Sequence, residues 1–388
     1  MNYRTNKING DKLSILGLGC MRFPKDEKES ERLVLRAIEK GINYFDTAYI
    51  YGNSEQILGN ILSRNNKRDS VKIATKIPPY LIKKYEDLDK YFSKQLQRLK
   101  TDYIDYYFIH MITDTYMWER LVGLGILSWI DEKKREGKIK NIGFSYHGGR
   151  DDFVKICDAF SWEFCMIYYN YLDEFNQAGK HGLIYAASKG IPVMIMGPLK
   201  GGILSNKLSQ SALDVFEGAH IKRSPAEWAL RWIWNHPEVT CVLSGMSSIE
   251  MLDENISAAE DAEEFAFRDA DYEVINNVKN AMKATIKVPC TGCNYCMPCP
   301  QGVDIPTCLS CYNDTAMTRK SLAVKRYAMQ TAFRAKPQIA SLCNKCGKCE
   351  KFCPQKIKIS DELEKAAKEL EKFYFKPVVW AARKVMRL

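Results

Sequence analysis

Eight cysteines near the C-terminus stand at the spacing of metal ligands. Cys290, Cys293, Cys296 and Cys299 run into Pro300, and Cys343, Cys346, Cys349 and Cys353 run into Pro354. Thiolates at i, i+3 and i+6 wrap a cube of iron and sulfide. In the spacing C-x2-C-x2-C-x3-C-P of the second run, the fourth thiolate serves the other cube. That rule assigns Cys290, Cys293, Cys296 and Cys353 to one 4Fe–4S cluster, and Cys343, Cys346, Cys349 and Cys299 to a second. The first run is one residue short before its fourth cysteine, so the crossover is an expectation and not the only pairing the spacing allows. Zinc is the competing reading, but it gathers four donors round one ion, normally from two C-x2-C units. A disulfide framework fits poorly, because ten of the fourteen cysteines crowd the last hundred residues and no export signal precedes them. Cys308 and Cys311 form an extra C-x2-C, read as packing residues with substitute ligation as the alternative. Cys20, Cys157, Cys165 and Cys241 read as small core residues. Clusters of this kind pass single electrons and are oxygen-sensitive, so an anaerobic or microaerobic host is expected.

Four polar residues earlier in the chain suit a reduction. Asp46, Tyr51, Lys76 and His110 each follow or end a short β-rich run. A carbonyl that accepts a hydride needs a proton on its oxygen. A phenol can give one, but its ordinary pKa near ~10 makes it a weak acid at neutral pH. A nearby ammonium makes donation easier, and a carboxylate keeps that ammonium charged and in place. An imidazole orients the substrate oxygen or passes the proton on. Tyr51, Lys76, Asp46 and His110 fill those roles in that order.

The elements that must hold them alternate. A hairpin around Asn9-Gly10 is expected over 2–17. Strands are expected at 14–18, 44–46, 71–75, 103–109, 139–144, 164–169, 191–196 and 240–243, with helices between, among them 30–40, 54–64, 85–99, 116–136 and 224–235. Eight strand–helix units imply an α/β chain with a parallel sheet closed into a (β/α)8 TIM barrel, which places working residues at the C-terminal strand ends. An open doubly wound sheet is disfavoured, because Gly17-Leu18-Gly19-Cys20 is not a G-x-G-x-x-G turn. The expected organisation is a barrel over 1–284, a small α+β two-cluster domain over 285–360, and a helix and tail over 361–388. The aromatic, basic tail is expected to pack back on its own domain, with an anionic membrane as the alternative.

Over roughly residues 10–260 the sequence resembles the aldo-keto reductase family. The resemblance is carried by Asp46-Thr47-Ala48 with Tyr51-Gly52-Asn53-Ser54-Glu55, by Thr101-Asp102-Tyr103-Ile104-Asp105 leading to His110, by Gly137-Lys138-Ile139 with Ile142-Gly143-Phe144-Ser145, and by Tyr169-Asn170, Pro198–Gly202 and Glu254-Asn255. The whole chain looks like the branch of that family with a C-terminal ferredoxin-type domain. The resemblance implies a (β/α)8 barrel, NAD(P)H-dependent carbonyl reduction, and the tetrad Asp46, Tyr51, Lys76 and His110. Cofactor contacts are expected at Gly19, Met21, Ser145, Asn170, Met196, Pro198, Leu199, Gly201, Gly202, Gly245, Ser247, Glu254 and Asn255. The chain also departs from the family. Met166 stands where a glutamine usually holds the nicotinamide amide, and Met196 where an aromatic ring usually stacks. The segment Ser244–Asn255, SGMSSIEMLDEN, has no cation to grip a 2′-phosphate. A flavin is therefore kept beside NAD(P)H as an expected occupant, since it converts hydride pairs to single electrons. Trp118 and His147 are candidates for the substrate pocket.

Charge divides the chain. From Thr285 onward there are 19 Lys+Arg against 8 Asp+Glu, while the remainder has 38 against 39. The basic excess sits on the cysteine-rich module, which suits docking of an acidic electron carrier, ferredoxin or flavodoxin. No aromatic–basic module accompanies it, so nucleic acid is not expected as a partner. No run of about 20 apolar residues spans a bilayer, and the polar opening MNYRTNKINGDK fits a cytoplasmic protein. The sequence supports three readings: a carbonyl or activated-double-bond reductase using NAD(P)H on a small-molecule substrate; a cluster-wired reductase fed by external ferredoxin through a barrel-bound flavin; and a non-enzymatic electron-transfer or redox-sensing subunit.

Overall fold

Asn9-Gly10 begins the organisation. Gly10 has φ +78°, which a side chain would strain, and the loop it closes joins β1 (Tyr3–Thr5) to β2 (Lys12–Ser14) in an antiparallel pair. The connection is longer than a two-residue turn, with Asn6 and Asp11 bonded through their backbones. Asn9 reaches Asn141 at 2.8 Å, and Asp11 accepts from the Tyr106 hydroxyl at 2.8 Å, so the hairpin plugs the N-terminal end of the barrel. The computed structural model describes residues 1–283 and 286–386; the expected boundary at 284 and 285 lies outside the described residues.

Eight further strands alternate with helices: β3 (Leu16–Gly19), β4 (Tyr44–Asp46), β5 (Lys72–Ile77), β6 (Ile104–Ile112), β7 (Ile139–Tyr146), β8 (Phe164–Tyr168), β9 (Val193–Met196) and β10 (Val239–Ser244). All pair parallel with their neighbours and close as β10-β3-β4-β5-β6-β7-β8-β9. The short apolar runs bury both faces, as a closed parallel sheet requires. Tyr44, Tyr106, Phe108 and Phe164 fill the interior, edge to face, with ring centroids at 5.2, 5.0 and 4.5 Å. Each such ring contributes roughly 1.5–3 kcal/mol by burial. The single helix expected over 116–136 is two, Thr115–Gly123 and Ile126–Arg135, because Gly125 at φ +90° breaks it.

Among its described residues the cysteine-rich module consists of helices and turns. Helices Ile305–Met317, Lys320–Tyr327 and Ile359–Leu370 pack Ile305, Leu309, Tyr327, Leu363 and Leu370 into a second core. Cys308 and Cys311 are fully buried there. The tail helix Phe375–Met386 packs back through Phe375 and Val379, and Arg383 donates to the carbonyls of Ala332, Arg334 and Ala335. Its other face leaves Val378, Trp380 and Val385 exposed. Among the described residues no helix is long and apolar enough to cross a membrane.

The module lies against the loops at the C-terminal ends of β6, β8 and β9. Asp114 accepts from the Ala335 backbone at 2.9 Å, and Asn176 donates to Ser310 at 3.2 Å. Lys200 reaches Asp173 at 2.5 Å and Asp314 at 3.1 Å. Arg326 joins the same buried group by pairing with Asp314, with its guanidinium 5.1 Å from the centre of the Tyr168 ring. Gly292 passes so close to the β8 loop that a Cβ would sit 2.7 Å from Asn176 Oδ1.

Candidate active site and cluster cavities

Adjacent strands β4, β5 and β6 bring Asp46, Lys76 and His110 to one corner of the barrel mouth, and the loop after β4 returns Tyr51 to them. Lys76 Nζ lies 2.5 Å from Asp46 Oδ1 and 2.7 Å from the Thr47 carbonyl. It stands 5.3 Å from the Tyr51 ring centre and 5.1 Å from that of Phe108. The Tyr51 and His110 rings meet edge to face at 5.8 Å. The loop is pinned by Ser54, whose hydroxyl bonds Thr47 Oγ1 and donates to the Cys20 carbonyl, both at 2.8 Å. Beneath it, buried Glu55 accepts from Thr75 at 2.7 Å, Gln95 at 2.8 Å and Arg98 at 3.0 Å. Gln95 also donates to the Lys76 carbonyl at 3.1 Å, so a buried polar web holds the lysine's backbone.

Burial dominates the electrostatics. It lowers the Lys76 pKa and raises that of Asp46, while their contact opposes both shifts. Burial, and then the Asp46 charge, push Tyr51 well above an ordinary phenol. The charge that weighs on Tyr51 is thus that of Asp46, which raises it, and not the acidifying one expected from Lys76. Burial, then the Lys76 charge, hold His110 well below the usual imidazole range. Among the described residues His110 Nδ1 and Asp46 Oδ2 are buried without hydrogen-bond partners, so the corner retains hydrogen-bonding capacity.

Asp46 and Tyr51 form one end of a cleft of about 570 Å3 that runs beneath the loops after β9, β10 and β3. Of the expected cofactor positions, Gly19, Met21, Met196, Pro198, Leu199, Gly201, Gly202, Gly245, Ser247, Glu254 and Asn255 line it, together with Met166. Ser145 and Asn170 do not. Ser145 Oγ instead accepts from the Met111 amide at 2.8 Å, where β6 bulges and Met111 turns to φ +54° beside His110. Asn170 donates to the Gly197 carbonyl at 3.1 Å and accepts from the Leu172 and Asp173 amides. Both fix loops in place of touching the cleft. Trp118 is also elsewhere, packed on Trp162 at 4.8 Å. His147 lies past β7 with Nδ1 3.2 Å from Gln177 Oε1.

The sequence reading missed two cations in the cleft, Arg22 and Lys207. Neither belongs to the loop after β10, where the family's phosphate grip is expected. Arg22 approaches Gly201, which is left-handed at φ +68°, and the cleft also meets the N-terminus of helix Pro225–Trp234, capped by Ser224. Cations, a glycine turn and a helix N-terminus together suit a phosphorylated ligand.

In the module the cysteines surround two cavities. Cys290, Cys293, Cys296 and Cys353 line one. Cys299, Cys343, Cys346 and Cys349 line the other. The grouping is the crossover, with each fourth cysteine facing the other run's cavity. Remaining walls are largely apolar, and Ile305 belongs to both. Among the described residues no three ligand-type side chains converge on a single-ion site. A chamber ringed by four thiols suits a cube better than one ion. Burial raises Cys290 to about 11, a thiol that ligation to iron would deprotonate. Cys308 and Cys311 line neither cavity.

Comparison with known proteins bears on both halves. Residues 15–279 match the model of the aldo/keto reductase family, and residues 289–358 that of a 4Fe-4S dicluster domain. An uncharacterized oxidoreductase, YqkF, of Bacillus subtilis is 28% identical over 301 residues, covering 66% of this chain and 91% of its own. L-galactose dehydrogenase of Arabidopsis thaliana is 28% identical over 300 residues, covering 70% and 91%. The holo form of the aldo-keto reductase AKR11C1 from Bacillus halodurans superposes with a TM-score of 0.61 at 25% identity, covering 72% of this chain and 96% of its own. With a closed parallel barrel and a family match over most of its length, this chain belongs to the aldo/keto reductase family and is an oxidoreductase that carries a 4Fe-4S dicluster domain behind its barrel.

Proposed function

We propose that the protein reduces a carbonyl or an activated double bond of a small molecule at the Tyr51 end of the cleft. The observation that carries this reading is the placement of Asp46 and Tyr51 in the wall of the same cleft that the cofactor-side loops enclose. Tyr51 holds the proton to be given. Its raised pKa keeps it protonated until negative charge develops on the substrate oxygen beside it. Lys76, neutralised by Asp46 at rest, stands close enough to Tyr51 to stabilise the phenolate that forms. His110 is neutral and offers a hydrogen bond to orient that oxygen.

A nicotinamide nucleotide in the cleft would supply a hydride, with its phosphates toward Arg22, Lys207 and the Ser224 helix N-terminus. Met166 and Met196 line the same cleft and offer no amide or aromatic partner to a nicotinamide ring. That favours a second reading, in which a flavin occupies the cleft and an acidic ferredoxin or flavodoxin supplies electrons through two 4Fe–4S clusters. The eight module cysteines are the proposed ligands, grouped as the cavities group them.

Visible spectroscopy of anaerobically purified protein separates the readings. Flavin bands beside the iron–sulfur absorption support the second. Their absence, with NAD(P)H consumption by the purified protein, overturns it. Turnover that survives Tyr51→Phe overturns the proton-donor role in both.

A further inference from the structure

The two cavities differ in what surrounds them. Residues 289–302, around the Cys290 run, carry no charge at all. Residues 341–360 carry Lys345, Lys348, Lys351, Lys356 and Lys358 against one acid, Glu350. All five lysines are exposed. Glu350 is half-buried and accepts from the Ser360 amide at 2.9 Å. Lys345 is engaged by Glu364 at 2.6 Å and Lys358 acts on Glu350 through its charge, while among the described residues Lys348, Lys351 and Lys356 pair with no carboxylate. Among the eight run cysteines, Cys346 is the exposed one. In the same segment Phe352 is 65% and Leu342 39% exposed.

The Cys290 cavity faces inward. Gly292, on the loop that lines it, comes so near the barrel that a Cβ there would stand 3.4 Å from the Phe175 backbone. Ile305 lines both cavities.

We propose that the surface over the Cys343 cavity, formed by Lys348, Lys351, Phe352 and the exposed Cys346, docks an acidic one-electron carrier protein, and that electrons enter there and move inward past Ile305 to the Cys290 cavity. This rests on the reading that both cavities hold electron-carrying clusters. A cluster held by Cys343, Cys346, Cys349 and Cys299 would take one electron from the reduced carrier, which is oxidised by one electron, with no bond made and no proton moved. One held by Cys290, Cys293, Cys296 and Cys353 would receive that electron in turn. A small contact suffices, since redox encounters sit at the low end of interface size and gain their speed from complementary charge.

The test uses the full chain reconstituted with iron and sulfide, and flavodoxin hydroquinone freed of other reductant as the acidic carrier. Bleaching of the iron–sulfur absorption is followed on rapid mixing at low and high salt. For Lys348→Glu/Lys351→Glu the low-salt rate is expected to fall about tenfold or more and to lose its salt dependence. Reduction of the same variant by methyl viologen radical, and its iron content, stay at wild-type values. An unchanged carrier rate and salt slope in the variant overturns the docking surface while leaving the cluster reading intact. Wild type that viologen reduces but flavodoxin does not overturns the carrier as well. Wild type that neither reduces overturns the reading beneath. Sedimentation with phosphatidylglycerol vesicles, abolished by the same reversals, would assign the patch to a membrane surface and contradict the proposal.

Discussion

Lys200 and Asp314 meet at 3.1 Å across the junction between the barrel and the cluster module. Lys200 belongs to the turn between Leu199 and Gly201, whose neighbours line the cleft, while Asp314 lies on helix Ile305–Met317, whose first residue walls both cysteine cavities. Asp173 and Arg326 complete the group, in which Lys200 and both acids are buried and Arg326 is half-buried. Removing one member strands the others. Lys200→Met is expected to cost about 3–5 kcal/mol of stability, read as a lowered denaturation midpoint.

The same junction sets a pH window. Burial works to raise the Asp173 pKa, but the Lys200 and Arg326 charges outweigh it and hold the carboxylate well below its ordinary range. Burial works to lower Lys200, but Asp173 and Asp314 outweigh it and hold the ammonium above its ordinary value. A depressed acid stabilises fully above its unfolded value near ~3.9, and a raised base fully below its own near ~10.4. The stability difference between wild type and Asp173→Asn should therefore stay flat from about pH 5 to 9 and shrink only as pH falls below about 4. A difference that varies across neutrality would contradict the geometry.

His147 should behave in the opposite sense to a paired histidine. Burial lowers it to about 4, so the folded chain holds it neutral while the unfolded chain takes up a proton. It weakens the fold as pH falls from ~6.5 toward that value. His147→Gln should lose less stability between pH 7 and pH 5 than wild type does, measured by urea midpoints at the two values.

Exchange of the fourth cysteines should be separable. Cys353→Ala should remove the cluster of the Cys290 cavity, and Cys299→Ala that of the Cys343 cavity. Each should leave about half of the iron and sulfide, because four thiolates hold each cube. If each variant instead lost the cluster of its own sequence run, as judged against Cys293→Ala and Cys346→Ala by electron paramagnetic resonance, the crossover would be wrong.

Much of this was legible in the sequence, for identifiable reasons. The eight strands are short, mostly apolar and separated by amphipathic helices, so burial on both faces shows as largely hydrophobic runs. The cysteine grouping follows from a rule of spacing, and the two cavities repeat it. What escaped depends on three-dimensional neighbours. Ser145 and Asn170 sit in the expected motifs, yet their side chains satisfy backbone amides at a strand bulge and a loop. Arg22 and Lys207 reach the cleft from segments with no phosphate motif. The Lys200–Asp314 contact joins residues more than a hundred positions apart, each an unremarked charge in its own segment. The helix break had a visible signal in Gly123 and Gly125, outweighed by the apolar period on either side.

Delivery of cluster electrons to the Tyr51 end of the cleft is tested most directly by single turnover. Reconstituted protein is reduced, freed of reductant and mixed with 9,10-phenanthrenequinone, a planar aromatic diketone, while the bleached iron–sulfur absorption is watched for recovery. Recovery in wild type is predicted to be about 10²–10⁴ times faster than in Tyr51→Phe carrying the same clusters. Equal rates in the two proteins, or no recovery in wild type, would contradict a barrel and cluster module working as one redox unit.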